Sequence, residues 1–110
     1  MKRFLVLAAL LSPLLCFAGG HSPVGNVADL HYMNNGVVLF YTTTTHSDVP
    51  ACAAAYTTRW AINAATPAGK TQLASLLSAY HAGKRIEAFG TGACSAWSDT
   101  ETVDYFHVVE

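Results

Sequence analysis

A chain of 110 residues with six basic and seven acidic side chains is long enough for one globular domain and is not basic enough to bind nucleic acid. Its formal net charge is −1, and the sequence has no Lys/Arg cluster that would hold an anionic membrane surface. Nucleic acid and membrane surfaces are therefore excluded as expected partners.

The beginning of the chain has the layout of a cleaved secretory signal peptide. Lys2 and Arg3 precede an apolar run over residues 4–15, and Ala18 ends a small-x-small cleavage site before Gly19. The run is interrupted by a Ser-Pro pair and is shorter than the roughly 20 residues needed to span a bilayer, so membrane insertion is not expected. We predict cleavage after Ala18 and export to the periplasm or the extracellular space.

Removal of residues 1–18 leaves one predicted domain over residues 19–110. This part keeps four basic and all seven acidic side chains, which gives it a formal net charge of −3. It also keeps two of the three cysteines, Cys52 and Cys94. Since two thiols in an oxidising compartment permit a single intramolecular pairing, we predict a structural Cys52–Cys94 disulfide.

Five short β-strands are predicted in the mature domain. The Asn35-Gly36 pair, typical of a tight hairpin, joins a strand over residues 27–33 to a strand over residues 37–43. The second strand is apolar along most of its length, which favours cover on both of its faces. The three remaining strands are predicted over residues 56–63, 85–91 and 102–109.

One helix is predicted, from Pro67 to Ala82. Thr66 is suited to the N-cap, Pro67 to the first helical position and Gly83 to the position after the last turn. Apolar residues recur on one face at the i, i+3, i+4 and i+7 positions, and this stripe is expected to pack on the core. Its members are Leu73, Leu76, Leu77 and Tyr80.

The order of elements predicts a mainly β fold of the α+β class, with the helix between the third and fourth strands. This order is that of a five-stranded OB-fold-like Greek-key barrel. An open sheet with the helix laid across one face is the alternative. We favour the barrel because a small open sheet would leave long apolar edges, such as residues 37–41, free to pair with other chains.

The loop before the last strand has the chemistry of a carbohydrate site. Its tryptophan can stack on the face of a sugar ring, and the hydroxyl and carboxylate groups that follow can bond to ring hydroxyls. In the alternative, structural interpretation, the tryptophan packs beneath the loop and the polar residues form a turn. Trp60 is expected in the core. The candidate ligand-binding residues are Trp97, Ser98, Asp99, Thr100 and Tyr56.

The sequence predicts neither a catalytic site nor a metal or cofactor site. Ser95 and Ser98 lack the surrounding sequence of a nucleophile elbow. The five histidines are scattered, without a pair at metal-binding spacing on one face. Cleavage after Ala18 would, however, create a Gly-Gly-His amino terminus, a sequence that can chelate copper or nickel through backbone nitrogens.

Three segments between Arg59 and Glu110 resemble a known protein family. They are RWAIN, TPAGKTQLASLLSAYHAGK and RIEAFGTGACSAWSDTETVDYFHV, which contain the helix, the strand after it and one cysteine of the bridge. They are similar to small exported bacterial proteins related to the B subunit of subtilase cytotoxin. In that group the B subunit is an OB-fold that assembles as a ring of five and binds sialylated or related glycans. The resemblance implies a non-catalytic, exported binding module that forms a homopentamer.

Three classes of function stay open at this stage, and one of them, an enzyme or a metal chaperone, predicts a polar cleft with perturbed acids or a bound ion. A glycan-binding module predicts an exposed aromatic groove and a self-complementary surface for assembly. A periplasmic protein-interaction or inhibitor protein predicts a monomer whose exposed edge or loop blocks a partner.

Overall fold

The structure, a computed structural model, describes residues 19–110, so the predicted signal peptide lies outside the described residues. The elements in chain order are β1 (His21–Tyr32), β2 (Val37–Thr42), a 3-10 turn (Ala51–Ala53), β3 (Arg59–Asn63), α1 (Pro67–His81), β4 (Arg85–Gly90) and β5 (Val103–Val109). The predicted mainly β fold with one helix is confirmed.

The five strands form one sheet in the order β3-β2-β1-β4-β5, and each strand is antiparallel to its neighbours. β1 is shared between the two halves of this sheet. Its first part, from His21 to Asn26, pairs with β4, and its second part, from Val27 to Tyr32, pairs with β2. Irregular register within each part lets this long strand bend from one half of the sheet into the other.

The two outer strands of the sheet approach each other at one point. Ala61 on β3 and Thr102, just before β5, form an isolated parallel bridge. The Ala61 N–H donates to the Glu101 carbonyl over 3.0 Å. The sheet therefore curves far enough for its outer strands, β3 and β5, to approach each other.

The first strand begins six residues before its predicted start at Val27. Pro23 and Gly25 lie in this added part of the strand, although proline cannot donate to a β-ladder and glycine weakens strands. In the structure Pro23 lies where the register between β1 and β4 shifts, between Ser22 and Gly25. The strand continues on both sides of this irregularity, which the local sequence did not indicate.

The third strand is shorter than predicted and begins at Arg59 instead of Tyr56. The Arg59 N–H donates to the Tyr56 carbonyl over 3.3 Å, which makes the preceding residues a turn. Tyr56 was predicted to be on this strand, but it lies in the turn that precedes β3.

The hairpin and the ends of the helix are as predicted. Gly36 has a φ of +86° in the hairpin, and Gly83 has a φ of +67° after α1, conformations that favour glycine. The Thr66 side chain accepts a hydrogen bond from the Gly69 N–H over 3.0 Å and so caps the helix. α1 has 15 residues, and among the described residues no helix is long and apolar enough to cross a membrane.

The main core lies between α1 and the concave side of the sheet. Trp60 and Phe40 are its largest members, and both are fully buried, as predicted for Trp60. From the helix, only Leu76 and Ala79 belong to this core. The predicted packing of Tyr80 on the core is wrong, because Tyr80 is 44% exposed, and Leu73 and Leu77 are half-buried outside the cluster.

The second strand is covered on both faces, as its apolar sequence predicted. Phe40 points into the main core. Val37 and Leu39 belong to a second cluster on the opposite face, where Met33 and Trp97 pack against them. The loop that carries Trp97 therefore covers the convex side of the sheet.

The predicted disulfide between Cys52 and Cys94 is present. It joins the 3-10 turn after β2 to the loop before β5, across a sequence separation of 42 residues. The bond thus fixes one end of the loop that contains Trp97.

Replacement of both cysteines by alanine should lower the free energy of unfolding by up to about 4 kcal/mol, since the cross-link restricts the unfolded chain. Urea denaturation of the oxidised protein and of the double variant measures this difference. Reduced wild-type protein is the control and should match the variant. Equal urea midpoints for all three samples would show that the disulfide does not stabilise the fold.

Candidate functional site

A cleft of about 260 Å³ lies on the convex side of the sheet, beside the loop before β5. Trp97 and Asp99 of that loop form one wall. The floor and the other wall come from β1, its hairpin turn, β2 and β3. These lining residues are His31, Met33, Leu39, Tyr41 and Arg59.

The strand register brings the lining residues together. Leu39 on β2 is paired with His31 on β1 and with Ala61 on β3, and Tyr41 is paired with Arg59. Because alternate residues of a strand point to the same face, Leu39 and Tyr41 share the convex side of β2. The aromatic rings of His31 and Tyr41 meet edge to face, with centroids 6.1 Å apart.

Arg59 connects this sheet face to the loop. Its Nε donates to the Thr100 hydroxyl over 2.8 Å, and its terminal nitrogen donates to Asp99 Oδ1 over 2.7 Å. The guanidinium carbon lies 3.5 Å from the centre of the Tyr56 ring, a close cation–π contact. The arginine side chain is only 11% exposed, so its charge requires a partner within the protein. Asp99 supplies that partner without any ligand.

The five predicted ligand residues have different positions around Arg59. Trp97 and Asp99 line the cleft. Tyr56 stacks on the guanidinium and is 37% exposed. Thr100 is fully buried, where its hydroxyl accepts from Arg59 and donates to Asp99. Ser98 is exposed and is not among the lining residues.

Arg59, Tyr41 and His31 were not predicted as site residues, although they form most of the polar and aromatic lining. One signal in the sequence could have indicated Arg59. A charged residue within the apolar strand RWAI requires a partner when it is buried, and the acidic loop supplies one.

The loop has a second anchor at Glu101, whose side chain is fully buried. Its Oε2 atom accepts from the Gly20 N–H over 2.7 Å and from the Gly92 N–H over 3.0 Å. Oε1 lies 3.6 Å from His46 Nδ1, and the His46 ring packs on Trp60 with centroids 3.6 Å apart. The carboxylate therefore ties the loop to the beginning of β1.

A separate aromatic row crosses the outer face of β1, β4 and β5. Phe89 stacks between His21 and Tyr105, with centroid distances of 4.7 and 4.6 Å. Beside it, Glu87 accepts hydrogen bonds from His21 Nε2 over 3.1 Å and from His107 Nε2 over 2.9 Å. We call these five residues the outer row. The hydrogen bond from His21, together with that from His107, holds the pKa of Glu87 below its usual value.

Neither region forms a metal centre. Across residues 19–110, no three His, Cys, Asp or Glu side chains are grouped so that they could hold a metal ion. The Gly-Gly-His sequence is also engaged otherwise, because the Gly20 N–H donates to Glu101 and the His21 N–H donates to the Ser47 carbonyl. Chelation through these two nitrogens would require the beginning of β1 to leave the sheet.

Comparison of the chain with models of known protein families, with curated proteins and with solved structures finds no match.

The lowered pKa of Glu87 predicts a loss of stability in acid. A carboxylate whose pKa is lower in the folded state stabilises the fold above its unfolded pKa, and this contribution disappears as the pH falls through the folded pKa. Glu87→Gln should therefore lose less stability than the wild type between about pH 5 and pH 3. Thermal denaturation across this range measures the difference.

Asp104→Asn is the matched control for that experiment. Asp104 is an exposed carboxylate on β5, and its side chain makes no hydrogen bond to the described residues. This variant should keep the acid sensitivity of the wild type. If Glu87→Gln and wild-type protein lost stability in parallel, the two histidine contacts would not contribute.

Proposed function

We propose that this protein is an exported, non-catalytic carbohydrate-binding module with an OB-fold-like architecture, and that its cleft takes a single neutral sugar ring. The observation that carries the proposal is that Trp97, Tyr41, Asp99 and Arg59 line one cleft. The same cleft combines aromatic surface with fixed polar groups, which is the usual composition of a small-molecule site.

The path of the strands supports the OB-fold-like assignment. That fold is a five-stranded, partly open Greek-key barrel, so its sheet must curve until its outer strands approach each other. Here β1 pairs with both β2 and β4, and the parallel bridge from Ala61 to Thr102 joins the outer strands. The helix lies between β3 and β4 in the chain.

The size and polarity of the cleft support a single sugar ring. A volume of about 260 Å³ is slightly below the roughly 300–1,000 Å³ of pockets for drug-sized ligands. The partly exposed Trp97 ring offers an apolar surface, and the Asp99 side chain is 45% exposed. Such a carboxylate can accept hydrogen bonds from ring hydroxyls while it stays paired with Arg59.

The charge of the cleft favours a neutral ring over an acidic one. An anionic sugar would compete with Asp99 for Arg59, and the Asp99 charge lies within the same cleft. Like charges at short range disfavour binding. The resemblance to toxin B subunits implies sialylated or related glycans, so neutral and sialylated ligands both belong in the test.

The homopentamer is proposed from the resemblance alone. Light scattering of the processed protein measures its mass in solution. A mass of five subunits would support the ring, and a monomer would contradict this part of the proposal.

A protein-interaction or inhibitor role is the second candidate, and the outer row is the observation that favours it. Tyr105 is 52% exposed and the His107 side chain is 59% exposed, next to the half-buried Phe89. Exposed aromatic residues are enriched at protein interfaces. This surface lies on the other half of the sheet from the cleft.

The two candidates can be separated with two single variants. Trp97→Ala should reduce the affinity for a neutral saccharide, selected on a glycan array, by at least about tenfold, or 1.4 kcal/mol. Tyr105→Ala removes an aromatic ring of the outer row and should leave that affinity unchanged. Isothermal titration of both variants and the wild type gives the affinities.

A glycan array without any bound saccharide would contradict the carbohydrate proposal. So would an affinity that falls in Tyr105→Ala and not in Trp97→Ala. Thermal denaturation of each variant establishes that the folded state is retained, because Trp97 also packs against the second apolar cluster.

A further inference from the structure

Gly19 and Gly20, which precede His21, lie so close to neighbouring atoms that no side chain fits at either position. Gly20 and Gly90 are joined by a hydrogen bond of 2.7 Å from the Gly90 N–H to the Gly20 carbonyl. A Cβ atom at either position would overlap the Glu101 carboxylate, and a Cβ atom at Gly19 would overlap the Gly90 carbonyl. The two glycines before His21 thus bring the backbone into direct contact with Glu101.

Glu101 has one oxygen atom without a donor. Its Oε2 atom accepts two backbone hydrogen bonds, from Gly20 and Gly92. Oε1 is buried and accepts no hydrogen bond from the described residues, and His46 Nδ1, at 3.6 Å, is beyond hydrogen-bond distance. A buried carboxylate oxygen without a donor is costly, which indicates that a further donor belongs at this position.

The Gly19 nitrogen is the next backbone nitrogen along the chain from the Gly20 N–H that Glu101 binds. It precedes the Gly20 N–H, which already donates to Oε2, by one residue of about 3.8 Å. A Cβ atom on Gly20 would overlap Oε1, so this oxygen atom lies close to Gly20. In an unprocessed chain the Gly19 nitrogen is a peptide nitrogen with one hydrogen atom, whereas a free amino terminus has three donors and a positive charge.

We propose that the buried Glu101 carboxylate is the binding site for the α-ammonium group of Gly19, which is created when the chain is cleaved after Ala18. In that cleavage water hydrolyses the Ala18–Gly19 peptide bond. Ala18 leaves with the new carboxylate, and the Gly19 nitrogen becomes the protonated amine. The proposal rests on the predicted cleavage position and is independent of the ligand of the cleft.

Binding of the amine would complete the anchor of the loop before β5. The ammonium group supplies a donor to Oε1 and a positive charge beside a carboxylate that is otherwise held only by neutral N–H groups and His46. Processing and folding are then coupled, because the beginning of β1 is fully stabilised only in the cleaved chain.

Competitive acylation of the exported, processed protein tests the proposal. Intact mass first shows whether the mature chain begins at Gly19, and any other first residue overturns the proposal. A limiting amount of acetic anhydride then labels the Gly19 amine and the exposed lysines, Lys70 and Lys84, which serve as internal references. Only the unprotonated amine is acylated, so an ion pair that stabilises the ammonium form slows the reaction.

In the native protein the Gly19 amine should react about tenfold more slowly, relative to the lysines, than in urea-unfolded protein. Glu101→Gln should abolish this protection. Asp104→Asn, which alters an exposed carboxylate whose side chain makes no hydrogen bond to the described residues, is the matched control and should retain it. Equal reactivity of Gly19 in native and unfolded protein, or full protection in Glu101→Gln, would overturn the proposal.

A second variant covers the case in which Glu101→Gln does not fold. Insertion of one alanine between Ala18 and Gly19 moves the free amine away by one residue and leaves the carboxylate intact. Protection of the amine should be lost in this variant, and its urea midpoint should fall below that of the wild type. An unchanged midpoint with unchanged protection would overturn the proposal.

Discussion

The buried Glu101 carboxylate is the constraint on which the arrangement of the loops depends. Its side chain accepts from Gly20 at the beginning of β1 and from Gly92 in the loop before β5. Its backbone carbonyl accepts from Ala61 on β3, and His46 lies beside it. Since a buried charge is tolerated only where it is hydrogen-bonded or paired, all of these segments must be in position together.

This constraint determines where the cleft can form. The loop is fixed near one end by the Cys94 disulfide and at the other by Glu101, and Trp97 and Asp99 lie between these anchors. Arg59 adds a third attachment through Asp99 and Thr100. A loop that is held in this way can present an aromatic ring and a carboxylate with little loss of conformational entropy on binding, which favours affinity for a small ligand.

The parts of the structure with local causes could be predicted from the sequence. The Asn35-Gly36 hairpin and the helix after Thr66 depend on residues that are adjacent in the chain. The beginning of β1 at His21 could not be predicted from the sequence, because pairing with β4 overrides the local effect of Pro23. The sequence offered candidate site residues only on the loop and at Tyr56, since His31, Tyr41 and Arg59 meet Trp97 through strand register, which short-range patterns do not contain.

The most direct test of this account is a nuclear magnetic resonance titration of ¹⁵N-labelled protein with the neutral saccharide that the glycan array selects. We expect the signals of the Trp97 indole N–H and the Arg59 side-chain N–H to shift, together with the backbone signals of Leu39 and Tyr41. Shifts confined to Phe89, Tyr105 and their neighbours would place binding on the opposite half of the sheet and contradict it.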